Sequence, residues 1–143
     1  MADGAPRYAG FLGTWMLVPG SCEYEQGDPP QEGTYRIAAS GDELVFDIRW
    51  TDAEGRRDAA TFRGRPDGAP IPFAGGDLAD ELRVEAVSAR DLRKSALYRG
   101  KERMITQLQL DETGGAMRVT QVVIFPDGGH LANVSIYRKQ ARA

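Results

Sequence analysis

Glu43-Leu44-Val45-Phe46-Asp47-Ile48-Arg49-Trp50-Thr51 alternates apolar and polar side chains almost without a break. A strand projects successive side chains to opposite faces. Leu44, Phe46, Ile48 and Trp50 therefore share one face, and Val45, Asp47 and Arg49 the other. The first face belongs inside, because a one-residue slip would turn every large apolar group out to water.

The same period of two recurs on both sides of this stretch, in short bursts separated by turn sequences such as Ser40-Gly41-Asp42, Asp52-Ala53-Glu54-Gly55, Pro66-Asp67-Gly68, Arg99-Gly100-Lys101, Thr113-Gly114-Gly115 and Pro126-Asp127-Gly128-Gly129. Each turn supplies a residue that tolerates positive φ. Strands are expected at about 14–19, 33–39, 43–51, 58–64, 70–73, 81–88, 92–98, 103–110, 116–125 and 130–139. The segment 70–73 carries two prolines and is at best an edge or bent strand. Residues 20–32 and 65–80, rich in Gly, Pro and acid, read as loops. Ser88-Ala89-Arg90-Asp91 has the spacing of a helix capping box, but a helix there would interrupt the meander, so 92–98 is read as a strand.

Strands joined by short turns favour a meander, and a meander loses its exposed edges by closing on itself. The expected fold is all-β, an up-and-down antiparallel barrel of 8 to 10 strands forming one domain over residues 1–143, with its core at about 10–140. Ala60, Phe62, Leu82, Val84, Ala86, Met104, Thr106, Leu108 and Leu110 extend the inner lining. In the last two strands the facing is open: Met117, Val119, Gln121, Val123 and Phe125 oppose Arg118, Thr120, Val122 and Ile124, and Asn133, Ser135 and Tyr137 oppose Ala132, Val134 and Ile136.

Eighteen basic against twenty-one acidic residues leave a net charge of −3. With no charge runs, this argues against a nucleic-acid partner or a basic membrane face. No apolar run approaches the roughly 20 residues of a membrane span. Met-Ala-Asp-Gly-Ala-Pro at the start lacks the pattern of a signal peptide, so the expected compartment is cytoplasmic. One cysteine, Cys22, excludes an internal disulfide and a cysteine-rich metal site, and one histidine, His130, excludes a His-rich site or a Ser/His/Asp triad.

Phe11-Leu12-Gly13-Thr14-Trp15 near the start and Val134-Ser135-Ile136-Tyr137-Arg138-Lys139 near the end resemble the calycins, the superfamily of lipocalins and fatty-acid-binding proteins. The layout is similar to that of small bacterial lipocalin-like proteins. The resemblance implies a short 3₁₀ turn over residues 6–12, Gly13 and Trp15 plugging the closed end, and Arg138, or failing it Lys139, packed across the indole. Two features depart from the fatty-acid binders: only some thirteen loop residues separate Pro19 from Gly33, where those proteins insert two helices, and Ser135-Ile136-Tyr137 stands where they carry Arg-x-Tyr. Nitrobindins, calycin-like haem barrels, share a Gly-x-Trp and a C-terminal histidine. His130 follows a Gly-Gly turn and lacks their glycine-rich neighbourhood, so it is read as a solvated turn residue with no cofactor expected.

Asn133, Ser135 and Tyr137 form the best polar row for a ligand head group, with Phe46, Ile48, Trp50, Phe62 and Leu108 as apolar wall. Asp47 and Arg49 read as a solvated pair. Arg36, Arg83, Arg103 and Arg118 read as outward, although one reversed register would carry an arginine inside to grip a carboxylate. Glu23 and Glu25 beside Cys22 argue against a reactive thiol. The reading is therefore non-enzymatic binding of an apolar or amphipathic small molecule. Its alternatives are a filled barrel forming a homodimer through Val122, Ile124, Val134 and Ile136, and a barrel enzyme, for which no spacing supplies an acid or base.

Overall fold

The computed structural model describes residues 6–25, 27–73 and 79–140. The reading of the chain start and parts of both long-loop readings therefore lie outside the described residues. Among the described residues a 3₁₀ turn, Arg7–Phe11, leads into eleven strands. These are β1 Gly13–Leu17, β2 Glu23–Tyr24, β3 Glu32–Ser40, β4 Glu43–Thr51, β5 Arg57–Gly64, β6 Ile71–Pro72, β7 Glu81–Ser88, β8 Asp91–Tyr98, β9 Lys101–Leu110, β10 Ala116–Ile124 and β11 His130–Lys139. Neighbouring strands pair in the order β5-β4-β3-β1-β11-β10-β9-β8-β7-β6, an up-and-down barrel. The capping-box sequence before residue 92 forms the turn between β7 and β8, not a helix. Among the described residues no helix is long and apolar enough to cross a membrane.

One segment read as a loop contains a strand. β1 leaves the edge of β11 after Leu17, and Ser21 takes over, its hydroxyl accepting from Ile136 N–H at 3.1 Å and donating to Ile136 C=O at 3.3 Å. β2 then pairs with Asn133 and Val134. Two residues of pairing in a polar stretch leave no alternation for sequence reading to detect.

Trp15 is fully buried at the closed end, its indole N–H donating to Phe11 C=O at 2.9 Å. Trp15 lies directly opposite Lys139. The ammonium of Lys139 stands 5.3 Å from the centre of the indole and donates to Gly10 C=O. Arg138, the first choice from sequence, is instead exposed: it pairs with Met16 and so takes the outward parity. Gly13 has φ +129°, and a Cβ there would meet Lys139 Cε at 3.2 Å. The Gly-x-Trp spacing thus leaves room for the lysine stem.

The two ends of the sheet meet at a seam that one stretch of chain closes. β5 pairs with β4 as far as Gly64. The chain then crosses over: Ala86 N–H donates to Pro66 C=O, Gly68 N–H to Val84 C=O, and β6 pairs with Leu82 and Glu81. A Cβ on Gly64 would stand 2.6 Å from Val84 Cγ2. Gly64→Ala is expected to lower stability by about 1–3 kcal/mol through overpacking. Urea denaturation should show Val84→Ala restoring part of that loss in the Gly64→Ala background.

Candidate functional site

Register resolves the facing of the last two strands. Tyr137 lies opposite Met117, Ser135 opposite Val119 and Asn133 opposite Gln121. Met117, Val119, Ser135 and Tyr137 are buried, so these pairs face inward. Val122, Ile124, Val134 and Ile136 take the other face, half-buried.

Burial changes along the barrel axis. Phe11, Trp15, Leu44, Leu92, Leu108 and Met117 are fully enclosed at the 3₁₀-turn end. At the other end, inward-parity positions reach water: Trp50 and Asn133 are half-buried, and Asp58, Gln121 and Val123 are exposed. An open cleft of about 600 Å³ runs over the ends of β3, β4 and β5, lined by Gly33, Trp50 and Asp58 of inward parity and by outward residues that include Thr34, Arg49 and Arg57. Of the wall residues read from sequence, Phe46, Phe62 and Leu108 are buried inside, while Ile48 and Trp50 lie nearer the rim.

Four rings form a row across the interior. Phe62 packs edge-on against Phe46 at 6.2 Å, Phe46 against Tyr35 at 6.3 Å, and Tyr35 against Tyr137 at 5.5 Å. Such T-shaped contacts set the positive edge of one ring on the negative face of the next. A Cβ on Gly33 would meet the Tyr137 hydroxyl at 3.1 Å, so the glycine leaves the space that oxygen needs. Burial pushes both tyrosines' pKa values well above their usual range, and Tyr24 and Cys22 add to the effect at Tyr137. The Tyr35 hydroxyl is buried with no hydrogen-bond partner among the described residues.

The sequence reading missed the central group. Lys94 on β8 is 2% exposed, with Leu92 and Ala96 on the same inward face. Its ammonium stands 4.8 Å from the ring centres of Tyr35 and Phe46 and 4.9 Å from that of Phe62. Among the described residues it forms no ion pair. Each ring face offers a desolvated cation roughly 0.5 to 2 kcal/mol, partial compensation for the lost water. Leu92-x-Lys94-x-Ala96 carried the signal, since a lysine at that parity in a barrel strand must point inside. The sequence instead offers the arginines as candidates for an internal cation. Arg36, Arg83 and Arg118 face outward, and Arg103 falls at the register shift between β8 and β9.

The remaining candidates lie elsewhere. His130 is exposed at the start of β11, opposite Ile124 on the outward face. Asp47 and Arg49 form an outward pair at 3.5 Å. Cys22 is half-buried, and its thiol pKa is raised chiefly by burial, not by the neighbouring acids.

No family model and no curated protein matches the chain. Solved structures share its fold at low identity. The zebrafish ileal bile-acid-binding protein complexed with cholic acid aligns at TM-score 0.53 and 16% identity, over 92% of this chain and 100% of that one. The fatty-acid-binding protein of Manduca sexta aligns at 0.51 and 13%, over 90% and 98%. Bovine odorant-binding protein complexed with its natural ligand aligns at 0.50 and 9%, over 100% and 79%. The chain has the calycin fold.

Burial lowers the Lys94 pKa from 10.5 to about 7, because the charged form is the one that suffers from lost water. Between these values the unfolded chain holds a proton that the folded chain has released, so stability rises with pH across the window. It rises by at most about 1.4 kcal/mol per pH unit; below about pH 7 both states are protonated and the full penalty remains. Denaturation at pH 7 and pH 9 should differ by about 2 kcal/mol in favour of pH 9. Lys94→Met should be more stable than the parent at pH 7 and should lack most of this rise.

Proposed function

We propose that the barrel binds an amphipathic small molecule, its apolar body against Phe46, Ile48, Trp50, Phe62 and Leu108 and its acidic head group against Lys94. The supporting observation is a buried ammonium with no carboxylate against it among the described residues. A methionine at this position would fill similar space without desolvating a charge, and such replacements of buried ions are often neutral or stabilising. Retaining the amine is expected where a ligand supplies the missing anion. A carboxylate there gains a charge-assisted hydrogen bond in an apolar setting and draws the proton back onto Lys94. Tyr137, Ser135 and Asn133 supply further polar contacts, and the rings form the apolar wall that such sites need. The fold's neighbours include proteins whose structures hold cholic acid and an odorant-binding protein's natural ligand, which supports a small-molecule role in general.

The test is displacement of a fluorescent apolar dye by dodecanoate and by methyl dodecanoate. Lys94→Met is expected to weaken dodecanoate roughly tenfold, about 1.4 kcal/mol, while leaving the ester within about twofold. Tyr137→Phe should cost the acid about 0.5 to 1.5 kcal/mol. Equal losses for acid and ester, or no displacement by either, would overturn the reading.

A further inference from the structure

We propose that Lys94 captures apolar aldehydes covalently and reversibly, as an imine inside the barrel. The inference rests on the reading of the barrel as a small-molecule site and adds a chemical class of ligand to it. Its ground is the geometry around the amine. Nζ is enclosed by three aromatic faces, at 4.8, 4.8 and 4.9 Å, with no carboxylate among the described residues to hold its proton in place. Thr106 lies directly opposite on β9 and is buried, and the unpartnered Tyr35 hydroxyl belongs to one of the three rings.

Residue choice supports the same conclusion. The chain has three lysines against fifteen arginines, and the one basic side chain in the ring cage is a lysine. An arginine there would match a carboxylate better, through its two-pronged fork, but cannot give up its proton to become a nucleophile. The other two lysines are otherwise placed: Lys139 sits on Trp15, and Lys101 is exposed at the start of β9.

The chemistry balances without a co-reactant. The neutral amine adds its lone pair to the aldehyde carbon, the carbonyl π bond breaks, and a carbinolamine forms. That intermediate loses its oxygen as water, carrying both amine protons, and a C=N bond replaces C=O. No group is oxidised or reduced. With its pKa lowered by burial to about 7, Lys94 holds a far larger neutral, nucleophilic fraction near neutral pH than a solvated lysine does. Surrounding rings keep water scarce, which favours the dehydrated product. Few charged groups bear on this titration. Tyr35 on β3 faces it and is held neutral, and β4, β5, β7 and β9 present Phe46, Phe62, Val84 and Thr106; farther off, Tyr137 on β11 and Tyr24 on β2 also have their pKa values raised by burial. The acid of inward parity, Asp58, is exposed at the rim and accepts Ala59 N–H.

The experiment exposes the intact protein to decanal with cyanoborohydride, which converts an imine to a stable amine, followed by intact-mass and peptide-mass analysis. One decyl group on Lys94 is expected, at occupancy at least tenfold above Lys101 and the chain terminus, with a capture rate that rises through about pH 7. Lys94→Arg and Lys94→Met should both lose this adduct, and Lys94→Arg should still bind decanoate. Binding of decanoate without decanal capture, or decyl groups spread over the exposed amines, overturns the aldehyde inference and leaves the carboxylate reading intact. Failure of both decanoate and decanal to bind the parent protein overturns both.

Discussion

A sheet of hydrogen-bonding strands leaves a row of unpaired amides and carbonyls at each edge, and this chain must bring its two edges together to be stable in water. It does so where β5 ends. Gly64, without a side chain, lets the backbone come against Val84, and the following residues change partner from β4 to β7. Once that crossing is made, inside and outside are defined for every strand by parity. The position of each interior group, including Lys94 against Phe46 and Phe62, depends on that closure, because β5 and β8 lie far apart in the strand order and come near each other only when β5 closes onto β7, the neighbour of β8.

Two cations serve opposite purposes in this barrel. Lys139 covers an indole at the closed end and donates to a backbone carbonyl, so its ammonium is partnered and partly wet. Lys94 has three rings and no acceptor among the described residues, and burial brings its pKa to about 7. Ring faces attract a cation but accept no conventional hydrogen bond, so they hold the amine in place without fixing its protonation state. The interior therefore holds an amine that is fixed in place yet can exist in either protonation state.

Alternation made most of the fold legible. Leu44 to Trp50 assigned a face at once, and the turn glycines separated the strands, because both signals are local. The polar row Asn133, Ser135 and Tyr137 was visible for the same reason, although its facing awaited pairing with Met117, Val119 and Gln121. What escaped was non-local. The choice of Lys139 over Arg138 depends on register with Trp15, and β2 depends on an edge of β11 that β1 leaves unpaired. Lys94 was legible by parity alone. Composition points the other way, because a charged side chain is ordinarily solvated at the surface and three enclosing rings on β3, β4 and β5 are not visible from β8 alone.

The burial gradient along the axis gives this barrel a division of labour. Trp15, Phe11, Leu44, Leu92, Leu108 and Met117 are packed into one end, while the rim residues of the other end contribute little to that packing. Substitutions at Trp50, Asp58, Gln121 or Val123 can therefore vary the mouth without loosening the plug. For an evolving lineage or a protein engineer, the chemistry of the mouth and the packing of the plug are separately adjustable over much of the sequence, with Lys94 at the depth where the two meet.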